Sequence, residues 1–299
     1  MMFVKIPCPL IVAFLVVTSW PGLVASGESP RAEESLTVQQ PIPQQVVDKF
    51  ALSDFYQKCI LIDGFPVVAS AQVNDAALQE AAHVVQAMLV KRGDILQRLV
   101  ANKIRLAVIG VHQQTCDIPE HSDLTPVDYW NRRARGFGAT KQRPCVSCAE
   151  ENVLNLPGDP YYEENILIHE FAHAIHLVAL ADLDPQFQEK LEACYEAALK
   201  KETWKDTYAG SNVTEYWAEG VQCWFESNAE NNAQHNHLNT REELKQHDPQ
   251  LHALIQSVFV DTSYHYVRSD SAERTEAHLQ DLDRTKLGKF QWSSAEPTK

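Results

Sequence analysis

Positive charge is scarce in this chain. Its 26 Lys and Arg stand against 40 Asp and Glu, a formal net charge of −14, whereas a phosphate-backbone partner needs a basic footprint. Nucleic acid is therefore excluded as a partner. Long apolar runs are lacking as well: after the first 26 residues no stretch approaches the roughly 20 apolar residues that span a bilayer, so no stable membrane insertion is expected. No internal repeat is visible, which argues against a solenoid or propeller. Cys145-Val-Ser-Cys148 lacks a second cysteine pair to complete a structural zinc site, and no thioredoxin-like context surrounds it.

What is present begins with a leader. Lys5 supplies a positive start, Leu10 to Val17 an apolar core and Val24-Ala25-Ser26 a small-residue cleavage region. Residues 1–26 are thus expected to be a signal peptide and the protein to be secreted and extracellular. Residues 27–45, rich in Glu, Gln, Ser and Pro without periodicity, are expected to form a disordered linker or short pro-segment. Once Cys8 leaves with the leader, Cys59, Cys116, Cys145, Cys148, Cys194 and Cys223 remain. An even number in an oxidising compartment predicts disulfides, with no pairing preferred.

The stretch Ile168-His169-Glu170-Phe171-Ala172-His173 carries the chemistry. On a helix of about 3.6 residues per turn, His169 and His173 share a face and can reach one metal ion, with Glu170 beside them. A third ligand is needed. An arrangement with a third His ten positions after the first is excluded, because position 179 is Ala179 and the preceding Gly position is His176. The stretch from Tyr208 to Phe225 supplies a Glu instead. Glu215 and Glu219 lie one turn apart, so Glu215 is expected to bind Zn2+ and Glu219 to accept the free ring N–H of a ligating His.

These residues resemble the gluzincins, and within them the family of the anthrax toxin lethal factor C-terminal protease domain and its uncharacterised secreted relatives. The resemblance rests on His-Glu-Phe-Ala-His at 169–173, Glu-Tyr-Trp-Ala-Glu at 215–219 and Tyr208 seven residues before Glu215. It covers roughly residues 55–265 and includes no receptor-carrier region. It implies an α+β, zincin-like metallopeptidase domain at 46–265, with a small mixed sheet and an active-site helix, a mainly helical C-terminal part and a polar tail at 266–299. It also implies that Tyr208 aims its hydroxyl at the substrate carbonyl and that an edge strand near 151–156 receives the substrate backbone. The expected activity is a secreted zinc metalloendopeptidase acting on a peptide or protein substrate, with Glu170 as general base. A zinc-binding interaction module without catalysis, and a zinc hydrolase of a non-peptide amide or ester, stay open as alternatives.

Local patterns predict the framework. Ile60 to Val68 reads as a hairpin around Asp63-Gly64, residues 75–100 as one or two helices broken near Gly93, and Ile104 to Gly110 as a buried strand. Residues 115–144 read as a long polar loop, 152–156 as a strand, and Glu163 to Ala181 as the motif helix. Helices are predicted from Pro185 to Lys201 and from Val213 to Asn228, with Thr240/Glu243 and Asp248-Pro249 marking two further starts. The cluster Arg132-Arg133-Ala134-Arg135 reads as a loop neutralising nearby acids or as a guide for an acidic substrate. His176 reads as a core or supporting histidine, and His235 and His237 as a solvated loop. Asn212-Val-Thr214 is formally a glycosylation acceptor, expected to stay unmodified beside Glu215.

Overall fold

The computed structural model describes residues 36–260 and 262–292. The signal peptide expected at 1–26 lies outside the described residues. Helix α1 (Gln44–Phe50) leads into a hairpin of β1 (Lys58–Ile62) and β2 (Phe65–Ala69). Its two-residue turn puts Asp63 at φ 48° and Gly64 at φ 86°. Two successive positive φ angles suit the right-handed strand twist, which is why Asp-Gly turns the chain here. Helices α2 (Asp75–Met88) and α3 (Gly93–Ala101) cross over to β3 (Arg105–Ile109), parallel to β2 with Val68 opposite Ala107. Strand β4 (Cys145–Ala149) adds parallel to β3, giving a mixed sheet in the order β1-β2-β3-β4. All five residues of β2, β3 and β4 are buried, as expected of strands covered on both faces.

Between β3 and β4 the long polar segment carries helix α4 (Val127–Arg133) and then doubles back. Phe137 donates its N–H to the Ser147 carbonyl at 3.3 Å and accepts the Ser147 N–H at 2.9 Å, so it flanks the outer edge of β4. The strand expected at 152–156 is not formed. Residues Glu150–Val153 make the short helix α5, and the strand lies earlier, at Cys145–Ala149. The cause is Asn152: its Oδ1 accepts the Ile166 N–H at 2.8 Å, while Nδ2 donates to Asp159 and to the carbonyls of Tyr161 and Glu164. A side chain that satisfies so much local backbone competes with a strand ladder.

The remainder is mainly helical. Helix α6 (Ile166–Ala174) continues through a π-helical segment, Ile175–Leu180, into α7 (Ala181–Leu183). Helices α8 (Phe187–Lys200), α9 (Val213–Trp224), α10 (Arg241–His247), α11 (Pro249–Phe259) and α12 (Ala277–Gln280) follow. Thr240 and Glu243 form the expected capping box, and Asp248 caps α11 ahead of Pro249. The stretch Ile166–Leu183 is long and apolar enough to cross a membrane, but 67% of it is buried inside the protein, as befits a core helix.

The predicted disulfides do not exist. Cys59, Cys116, Cys145, Cys148, Cys194 and Cys223 are all free. Cys145 and Cys148 stand three residues apart on one strand, so their side chains leave opposite faces. Cys59 on β1 is three strand spacings from β4, about 14 Å, well beyond disulfide reach. Burial instead pushes the thiol of Cys59 up to about 11 and that of Cys223 up to about 12.

Segments read from composition as linker and tail lie against the domain. Gln39 bridges Cys59 and Ile42 is buried. Arg274 makes two bonds to the buried Glu80 on α2, at 2.9 and 2.8 Å, and His278 adds a third at 2.9 Å. Further on, the Phe290 ring lies 4.1 Å from the guanidinium carbon of Arg135.

Candidate metal centre

Helix α6 begins where the Asn165 side chain accepts the Ile168 N–H at 3.0 Å. It is apolar nearly all round, with Leu167, Ile168, Phe171 and Ala172 fully buried, so its register is locked by packing. Helix α9 starts at Asn212, whose Oδ1 accepts the N–H groups of Thr214 and Glu215. The indole of Trp217 then donates to the Ala172 carbonyl at 2.9 Å and clamps α9 onto α6. That clamp brings Glu215 over the two histidines.

Three donor atoms converge there. His169 Nε2 lies 3.0 Å from Glu215 Oε2, His173 Nε2 lies 3.3 Å from the same oxygen, and the two ring nitrogens are 3.1 Å apart. Tetrahedral zinc with bonds of about 2.0–2.2 Å would separate its ligands by about 3.3–3.6 Å. The triangle therefore fits a zinc-sized ion after a slight opening, and two His with one Glu is the donor set of a site that keeps a fourth position free. Charge points the same way. Burial opposes the imidazolium form of His169, but Glu215 and Glu219 outweigh it and raise the ring well above its ordinary value. Burial likewise acts to raise Glu215 and Glu219, yet neighbouring imidazoles hold Glu215 far below the usual range and Glu219 at about 2. Buried carboxylates crowded round two rings call for a cation.

Behind the triangle, His169 Nδ1 is 2.7 Å from Gln222 Oε1 and 3.5 Å from Glu219 Oε1. The short contact thus goes to Gln222, a residue the sequence reading passes over, while Glu219 lies on the same side at longer range. Glu219 Oε2 accepts from Asn228 Nδ2 at 3.0 Å and faces His235 Nε2 at 3.4 Å. The His235 side chain is only 6% exposed, so it belongs to this buried network and not to a solvated loop. His176 is turned away from the triangle, bonded to Gln188 at 2.7 Å and packed on Phe187 and Trp217.

Glu170 and Tyr208 border the open side. Burial holds the Glu170 carboxyl above its ordinary value, the rings of His169 and His173 oppose that, Glu215 reinforces it, and the Gly138 N–H favours the charged form. The Tyr208 ring lies 6.2 Å from that of His169 at an interplanar angle of 20°, and its N–H donates to the Gln234 carbonyl at 2.8 Å. Two cavities meet at this point, sharing Arg133, Ala134, Gly136, His169, Glu170 and Tyr208.

The wall opposite α6 is the backbone of Gly136-Phe137-Gly138. A Cβ at Gly138 would lie 2.6 Å from the His173 Cβ, and one at Gly136 would lie 2.7 Å from the Ser147 carbonyl oxygen. Only glycine lets this segment lie so close to the ligand helix. The basic cluster is split by its surroundings. Arg135 is wholly buried, bonded to Glu151 at 2.6 and 3.0 Å and to the Gln113 carbonyl at 2.8 Å, whereas Arg133 stays exposed in the cleft.

No known protein family matches the sequence, and neither does any curated protein. Among solved structures, the Pro-Pro endopeptidase PPEP-2 from Paenibacillus alvei is similar over 64% of this chain and 97% of its own, with 18% identity and a TM-score of 0.43.

Proposed function

We propose that this protein is a zinc-dependent peptidase of the gluzincin type that cleaves peptide bonds without a covalent intermediate. The observation that carries the reading is the His169–His173–Glu215 triangle, with edges of 3.0–3.3 Å, opening into a cleft bordered by Glu170 and Tyr208. A zinc ion held by these three side chains would act as a Lewis acid and bring the pKa of a water towards neutrality. Glu170 takes the proton of the attacking water and returns it to the leaving amine as the C–N bond breaks. The Tyr208 hydroxyl donates to the carbonyl oxygen as negative charge grows there, an interaction stronger in the transition state than in the ground state. Gln222 and Glu219 orient the His169 ring from behind.

The segment Ala134 to Gly138, rather than 151–156, is the edge to which a substrate backbone adds. Secretion rests on the leader-like residues 1–26. The buried free thiols are compatible with it, since raised pKa values make them poor nucleophiles.

The test exposes a broad peptide library to the purified protein and to Glu170→Gln, each with and without chelator, and reads products by mass spectrometry. Chelator-sensitive cleavage by the wild type is expected, together with a loss of about 10²–10⁴ in kcat for Glu170→Gln at unchanged zinc content. Equal cleavage by the variant would sink the mechanism.

A further inference from the structure

We infer that the cleft selects peptides with a large apolar residue, aromatic or long aliphatic, on the acyl side of the scissile bond. This deepens the proposed function and rests on it. The direction of the peptide comes from the backbone. Phe137 spends both its N–H and its C=O on Ser147. In an antiparallel pair the polar groups of the flanking residues point the other way, so the Gly136 amide and carbonyl face the cleft. The Gly138 N–H, which faces Glu170, obeys the same alternation. A peptide adding antiparallel to this edge, the more stable of the two pairings, enters at the Gly138 end and leaves at the Ala134 end. Its acyl side then lies beside Gly138 and its amine side beside Ala134.

The two ends differ in chemistry. The cavity of about 320 Å³ over the ligand triangle reaches Trp130, Phe137 and Leu177 at the Gly138 end. At the Ala134 end is one of about 120 Å³ bordered by Tyr161, Glu164 and His235. The wall of the larger cavity is preformed: the Trp130 and Phe137 rings meet edge to face at 5.7 Å, and the Trp130 indole is held by the Thr125 carbonyl at 3.3 Å. Its floor is Leu177, one turn beyond His173 and 36% exposed in the π-helical segment, whose other large apolar side chains are buried. An apolar side chain seated against Trp130, Phe137 and Leu177 covers Leu177, whereas a polar one placed against these three trades water for apolar neighbours. The smaller cavity is lined by groups already engaged with one another: Glu164 is bonded to Gln222, and His235 faces Glu219.

The experiment uses end-blocked peptides in which the residues on both sides of the cleaved bond are varied independently, with zinc-loaded wild type, Leu177→Ser and, as a control on another exposed position, Leu199→Ser. The expected result is kcat/KM roughly 10–100-fold higher for Phe, Tyr, Leu or Met than for Gly, Ser or Asp on the acyl side. Leu177→Ser should cut that ratio about tenfold, mainly through KM, while unfolding at the wild-type temperature. Leu199→Ser should keep it. Equal rates across acyl-side residues, or a preference on the amine side, would overturn the inference and leave the peptidase reading intact. No chelator-sensitive cleavage of any peptide would overturn both.

Discussion

Gln222 shows what a motif leaves out at the scale of single residues. It lies seven residues after Glu215 on α9, and its amide oxygen takes the His169 Nδ1–H at 2.7 Å. That bond leaves the Nε2 lone pair facing the ligand triangle. We expect Gln222→Leu to weaken zinc binding 10–100-fold, read by chelator competition, with the helical circular dichroism unchanged. His169 and His173 were legible because helical spacing alone puts them on one face, and Glu215 because a two-His site needs a third ligand and the acid pair on the second helix offers one. Gln222 and His235 were not, because their partners come from another helix or loop and no local period encodes such a contact. The cysteines teach the converse: an even count says nothing about distance, and strand alternation separates Cys145 from Cys148.

Elements were legible where the signal is local. The Asp63-Gly64 turn, the Thr240/Glu243 box and the break before Gly93 all depend on residues within a few positions. The misplaced strand at 152–156 and the unrecognised Phe137 edge depend on bonds to Ile166 and Ser147 that sequence periodicity does not carry. The edge segment is also fragile. Gly138→Ala would press a methyl group to 2.6 Å from the His173 Cβ, so we expect it to cost about 1–3 kcal/mol in denaturant unfolding and to lower zinc affinity by displacing His173. An unchanged midpoint would show that the segment yields freely. Under the same edge, His121 is buried against Ser147 at 2.8 Å. Burial first, then Arg143, lowers its pKa from an ordinary 6.5 to about 4. As pH falls the unfolded chain takes up the proton first, so the stability due to the neutral ring is complete above pH 6.5 and is lost between 6.5 and 4. Over that window wild type should lose roughly 3 kcal/mol more than His121→Gln; parallel curves would contradict the assignment.

At the scale of the whole molecule, the α+β character and the helical C-terminal part were what the resemblance implied, and the local strand and helix patterns agreed with them. The packing of residues 266–292 did not, because a polar segment can still bury ion pairs. Glu80 is 1% exposed and Arg274 only 8% at the side chain. Removing Arg274 leaves the buried carboxylate with His278 alone, so Arg274→Met should cost about 3 kcal/mol by denaturant unfolding, whereas Glu80→Leu with Arg274→Met should recover part of it. Full additivity of the two changes would show that the pair is not coupled.

The same ion pair sets a clock on biosynthesis. Glu80 and Arg274 are 194 residues apart. At about 5–20 residues per second, the ribosome delivers the arginine on the order of 10–40 s after the glutamate. For that interval the nascent sheet and α2 can collapse only around a carboxylate that is protonated or hydrated, and α6 and α9 can meet before the guanidinium arrives. The ligand residues are thus all made, and free to assemble, before the residue that closes the core around Glu80.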